Sequence, residues 1–253
     1  MNPTLHIHRL ELESELLGFP VEKIAGWVST NEIFAYVNDL YKQGGRVYLY
    51  LEVDAADIEQ IHNLQRAGFL LSEFRVHAQL DLDGFDNYSK AFYPYVADLI
   101  TEEKHLSTAC EILAEYPTDD RFSREPDQVL PKEFSKKRND FNLKKSFLNY
   151  PKEWIIGMFN SNNAMLEGFC SLGFHSEDTA FIYQQAVRIS QLSKNNEEIL
   201  EPLMFSFLKE NGIRWVKSIT TGFNISEINR RIHNSGFQAL NTTVVLRQII
   251  NSA

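Results

Sequence analysis

Apolar positions along this chain follow two rhythms. A period of two marks extended segments at 46–53, 69–80, 96–100, 153–160, 165–174 and 180–187. A period near 3.6 marks helices at 31–43, 54–67, about 101–116, 132–148 and from 197, where Leu200, Leu203, Met204, Phe207 and Leu208 fit one face. Residues 10–13 alternate Leu and Glu and read as an extended start. Gly44, Gly45 and Gly68 supply helix stops, and Thr101, followed by Glu102 and Glu103, is a suitable N-cap. The stretch 117–131 holds three prolines and no apolar period, which predicts a long loop of the binding kind.

The polar, turn-rich run 81–87 divides the chain into an α/β unit over 1–86 and a larger unit over 87–253. The fold class is α/β (α+β), with a mixed, mostly antiparallel sheet flanked by helices. One echo joins the units: 63–69 and 231–237 each end a helix on Gly, continue with Phe69 or Phe237, and enter a strand. Either a half-domain is duplicated, or the usual helix stop is used twice.

Composition narrows the partners. With 34 acidic and 25 basic residues the net charge is −9, which repels a nucleic-acid backbone. No apolar run approaches a membrane span, and residues 1–9 lack a secretory pattern, so a cytoplasmic protein is expected. Cys110 and Cys170 read as buried thiols; His6 and His8 share a strand face without further ligands, so no metal is expected.

The chemistry-bearing part runs from 180 to 237: strand, polar loop 188–196, amphipathic helix, strand, Asn224, short helix, Gly236-Phe237. A strand whose pairing splays open offers free backbone groups to the amides of a pantetheine arm, and a loop entering a helix N-terminus receives a pyrophosphate. Such an order suits transfer of an acyl group from coenzyme A to an amine.

On these residues the chain resembles the GNAT superfamily of N-acetyltransferases over 96–246, most clearly at 185–187, in the helix from 197 and from Thr220 to Phe237. The first unit, through 10–21, 66–69 and 75–76, together with Arg121 and Phe122, looks like the dTDP-amino-sugar N-acyltransferases. The resemblance implies coenzyme A contacts from Gln185, Ala186, Val187, Arg188, Lys194, Asn195, Asn196 and Asn224. It places Glu15, Phe19, Arg121, Phe122 and Gln184 at the acceptor but assigns no acid or base; on chemistry alone the catalytic candidates are His233, whose imidazolium can donate a proton to a thiolate, and Tyr183, on the relevant strand. The implied reaction moves an acetyl or 3-hydroxybutanoyl group from acyl-CoA to a dTDP-linked amino-dideoxyhexose, leaning to a 3-amino-3,6-dideoxyhexose, for surface polysaccharide; a homodimer is compatible with it.

Two departures stand out. Residues 191–196 contain no glycine where the family's pyrophosphate loop has it, and Ile232 and His233 stand near the usual proton-donating tyrosine. His233 is equally a surface residue, and Asn224 equally an N-cap. The alternatives are a catalytically silent ligand- or partner-binding protein of the same fold, and acyl transfer to a protein or peptide amine.

Overall fold

The structure is a computed structural model that describes residues 5–25, 29–85, 94–115, 122–125, 130–131, 133–188 and 196–252. The first half comprises β1 (His6–Arg9), α1 (Glu11–Leu17), β2 (Val21–Ala25), α2 (Thr30–Gln43), β3 (Gly45–Asp54), α3 (Ile58–Arg66) and β4 (Leu70–Asp81). The second comprises β5 (Tyr95–Leu99), α4 (Glu103–Glu115), α5 (Phe134–Leu148), β6 (Glu153–Asn160), β7 (Met165–Ser176), β8 (Thr179–Val187), α6 (Asn196–Glu210), β9 (Trp215–Thr221), α7 (Ile225–Asn229) and β10 (Gln238–Ser252). A π turn, Arg230–Asn234, extends α7.

The strands that alternation predicts are present, with ends shifted by a residue or two. Residues 10–13 correct the reading: Glu11–Leu17 is helical and only β1 before it is extended. The Leu-Glu alternation mimics a strand, but Leu12 and Leu16 also stand four apart, and Gly18 closes the helix in the left-handed region at φ 72. Ser14 Oγ then ties the helix to the next strand by accepting from Val21 N–H at 2.9 Å.

One sheet of ten strands contains both halves, in the order β1-β2-β3-β10-β4-β9-β8-β7-β6-β5. Among the described residues only β2–β3 and β8–β9 are parallel. Each parallel pair is joined through a helix, α2 or α6, since parallel strands need a crossover connection. Each is followed by α3 or α7, then a glycine at positive φ (Gly68 at 92, Gly236 at 78) and a buried phenylalanine, Phe69 or Phe237. The short echo in the sequence therefore marks the same corner of two similar half-sheets. The last strand of each half has crossed over: β10 pairs with β3, and β4 pairs with β9.

Helices cover both faces. In β7 Cys170 joins the core under α6 while its neighbour Phe169 joins the core under α4 and α5. In β10 Val244 and Leu246 pack with α2, and Val245 packs with Phe122 and Phe134 on the opposite face. A period of two thus feeds two cores at once.

The crossing has a direct test. Residues 87–253 expressed alone lack β4, so β9 and β10 lose the strand between them and bare edges result. We expect that fragment to show no cooperative thermal transition by circular dichroism, and co-expression with 1–86 to restore one.

Candidate active site

The site begins with a backbone irregularity. Strand β8 pairs with β7 through Phe181 and Ile182, then resumes at Gln184 opposite Ser171, leaving Tyr183 as a bulged residue. Bulges bend a strand away from its neighbour. On its other edge β8 pairs with β9 only through Thr179, Ala180 and Phe181, although β8 runs on to Val187 and β9 to Thr221. The two parallel strands therefore part at the bulge.

The alternation of the β7–β8 ladder says which backbone groups face the gap. Arg188 N–H donates to Glu167 C=O at 2.8 Å, so the Ala186 N–H turns to β7 as well. The N–H groups of Gln185 and Val187 turn to the side from which β9 has departed. Of Ala186 and Val187, both expected at coenzyme A, Val187 turns its N–H to the gap and Ala186 does not.

An open cavity of about 620 Å³ lies over this place. Its walls are Arg138, Asn139 and Asn142 of α5, Tyr183 and Gln184 of β8, and Glu73 and Arg75 of β4. Its far end is Gln185, Thr221, Asn224, Glu227 and Arg231, so it reaches through the parted strands to α7. Five buried polar atoms on its lining residues have no hydrogen-bond partner among the described residues: Ser171 Oγ, Gln184 Oε1, Gln185 Oε1, Thr221 Oγ1 and Arg231 Nη1. Buried polar atoms are normally satisfied, and a run of exceptions along one cavity suits a polar ligand.

Behind the gap lies a buried cluster of four charges. Glu201 of α6 is 1% exposed and meets Arg230 Nη1 at 2.6 Å and Ser235 Oγ at 2.6 Å. Glu227 of α7 accepts from Arg231 Nε at 2.7 Å and from Arg230 Nη2 at 2.5 Å. Gln185 Nε2 reaches both carboxylates at 3.3 Å, tying β8 to α6 and α7. Two negative and two positive groups balance, as burial demands. Burial alone raises the Glu227 pKa, but Arg231 and Arg230 outweigh it and hold the carboxyl below its ordinary value.

The residues expected at the site fall into three groups. Tyr183, Gln184, Gln185 and Asn224 line the cavity together. Ala186 and Val187 stand in β8 beside it, and Arg188 lies 4.0 Å from the fully buried Glu167, whose pKa is raised by burial against the pull of Arg188. His233 is exposed on the π turn, Glu15 is exposed on α1, and Phe19 stacks under Arg46 at 4.4 Å, none of them lining the cavity. Phe122 is 3% exposed and packs between Tyr48 and Phe134 as core. Arg121, Lys194 and Asn195 lie outside the described residues, and Asn196 is described only as the start of α6.

Asn224 caps α7 by accepting from Glu227 N–H at 3.1 Å. Tyr183 is 52% exposed, and its pKa is raised by partial burial and by Glu153. Both thiols are held protonated: Cys110 is pushed up to about 12 by burial and its bond to Asp140, and Cys170 is raised by burial. Sequence reasoning passed over Arg230 and Arg231. The signal was present in their spacing of three and four from Glu227 on one short helix. Among the described residues no cluster of three metal-ligating side chains occurs, and no helix is long and apolar enough to cross a membrane.

No protein-family model and no curated protein matches the sequence. Solved structures match almost all of it. A GCN5-related N-acetyltransferase from Sphaerobacter thermophilus aligns with a TM-score of 0.62 at 11% identity, over 98% of this chain and 78% of its own. A tandem GNAT protein from the clavulanic acid biosynthesis pathway gives 0.58 at 14% identity, over 92% and 76%. A functionally unknown conserved protein from Staphylococcus epidermidis gives 0.61 at 8% identity, over 95% and 88%. The fold is therefore of the GNAT type, as expected, and two similar half-sheets in one chain fit the tandem neighbour. None of the three is described as acting on a nucleotide sugar.

Two measurements probe the cluster. Because the Glu227 carboxyl has a lowered pKa in the folded state, its contribution to stability is complete above the unfolded value near 4.5 and lost as pH falls further. Urea unfolding should show a steep loss of stability below about pH 4.5 that is shallower in Glu227→Gln. Asn224→Ala should cost about 1 kcal/mol through the lost cap; an unchanged melting temperature would remove the cap from the account.

Proposed function

We propose that this protein is an acyl-CoA-dependent N-acyltransferase whose reaction takes place where β8 leaves β9. The observation that carries the reading is the bulge at Tyr183, beyond which Gln185 and Val187 N–H groups have no strand partner among the described residues and a cavity opens between the strands. The amides of a pantetheine arm lie along β8 as a further strand would. The Val187 N–H then donates to the thioester carbonyl, a kind of contact worth about 2.7 to 4 kcal/mol in the transition state.

The amine enters from the α5 side and attacks directly. A cysteine relay is disfavoured, since a thiol acts as nucleophile only when its pKa is low. Tyr183 and the unpaired Gln184 Oε1 lie where they would orient the acceptor. The acceptor is the dTDP-linked amino-dideoxyhexose that the sequence resemblance implies, and the donor is acetyl- or 3-hydroxybutanoyl-CoA. The exposed Tyr183 ring and Lys145 of α5 on the cavity wall suit a base and a diphosphate, a slot that the core position of Phe122 cannot provide. This reading places the enzyme in the cytoplasm, in the making of sugars for surface polysaccharide.

A second reading, a silent binder, is favoured by the Gln185 side chain, which spans from β8 to Glu201 and Glu227 at the rear of the gap. Binding and turnover separate the two. Calorimetry should find saturable binding of acetyl-CoA or a longer acyl-CoA, and thiol release should follow with a dTDP-amino sugar. Thr221→Trp, which fills the gap from β9, should weaken donor binding at least about tenfold, or about 1.4 kcal/mol, without lowering the melting temperature. Binding without thiol release across a panel of amines supports the silent protein, and no binding of any acyl-CoA rejects both.

A further inference from the structure

We propose that Arg231 stabilises the departing sulfur, so that coenzyme A leaves as a thiolate held by a guanidinium and no side chain needs to give up a proton. The inference rests on the acyl-transfer reading and deepens it.

Arg231 combines three properties. It lines the far end of the cavity, beyond the parting of β8 and β9. Its side chain is 7% exposed, and Nε is engaged by Glu227 at 2.7 Å, with Glu201 at 3.6 Å. Its Nη1 is buried with no hydrogen-bond partner among the described residues. A buried guanidinium donor without an acceptor is costly, and it is accounted for when an anionic or strongly polar ligand atom supplies the missing contact. The other arginine of the cluster differs: Arg230 engages Glu201 through Nη1 and Glu227 through Nη2.

The position is also held firmly. Glu227 anchors Nε, and the Arg231 guanidinium lies 5.8 Å over the Phe237 ring at the corner that closes the half-sheet. The π turn carries Arg231, and such turns recur at functional sites. His233, two residues further on, is turned to solvent.

The step balances without a protein acid. The amine nitrogen forms a bond to the acyl carbon, the carbon–sulfur bond breaks, and its electron pair leaves on sulfur. The proton lost by the amine passes to water. Arg231 Nη1 donates a hydrogen bond to the sulfur as its charge develops, while Glu201, Glu227 and Arg230, which together with Arg231 sum to zero charge, hold the guanidinium in place.

The test uses the full chain and acetyl-CoA with the amine that gives the highest thiol release. Arg231→Met should lower kcat about 100-fold, the range found for loss of one preorganised donor, and change KM for acetyl-CoA less than about threefold. Arg231→Lys should recover part of the rate, and added guanidinium chloride at millimolar concentration should raise the rate of Arg231→Met. If Arg231→Met does not fold by thermal melting, the native protein still decides the matter. Guanidinium groups do not titrate where histidines and tyrosines do, so kcat should show no falling limb below about pH 10. A falling limb there, or a folded Arg231→Met with unchanged kcat, overturns the role of Arg231 while leaving acyl transfer standing. Native protein that binds acyl-CoA but releases no thiol with any amine overturns both.

Discussion

Everything that makes this fold a candidate for chemistry depends on one constraint: β8 cannot stay hydrogen-bonded to β7 and β9 along its whole length. The bulge at Tyr183 inserts one residue against β7, and the strand turns away from β9 at that point. An unbroken parallel pair would consume every inward N–H and C=O in its ladder, as β2 and β3 do over Val21 to Ile24 in the first half. From its parallel pair onward the first half has the same order of elements, β2-α2-β3-α3-β4 against β8-α6-β9-α7-β10. Two similar half-sheets thus each carry one parallel pair, and the cavity opens at the pair that parts at a bulge, β8 and β9.

The buried charges explain how the opening is kept without collapse. A gap between strands in a sheet core would ordinarily be filled by apolar side chains. Here Glu201, Glu227, Arg230 and Arg231 occupy its rear, with Gln185 spanning between them. Their mutual pairing offsets the loss of water, and their length holds α6 and α7 away from β8. Removing one member leaves an unpaired charge in a dry place, which costs far more than the pair gains. The cluster therefore fixes geometry more than it adds stability.

Much of this was legible in the sequence, for a physical reason. Alternation over 153–160 and 180–187 reports two covered faces, and Gly68-Phe69 and Gly236-Phe237 report a left-handed stop followed by core entry. What alternation cannot report is the partner. Nothing in residues 70–81 says that they lie between β9 and β10, because a strand's side chains record which face is buried and not which neighbour supplies the hydrogen bonds. The same limit hid the bulge, since Ile182, Tyr183 and Gln184 read as ordinary strand. Phe122 misled for another reason: an aromatic residue in a proline-rich loop resembles a ligand platform, while its ring fills the core against Tyr48 and Phe134.

The exchange of β4 and β10 bears on the site as well as on the fold. Thr221, the last residue of β9 and a wall of the cavity, is paired with Arg75 of β4, which also lines the cavity and is bound to Glu73 and Glu52. One wall of the cavity is therefore built from the first half of the chain, and the gap that opens beside it from the second. In a simple array each half would carry its own wall. Crossing the last strands brings an ion-paired edge from one half against the open strand of the other, so neither half alone contains a complete cavity. Changes on β4 can then reshape that wall without disturbing the backbone irregularity in β8.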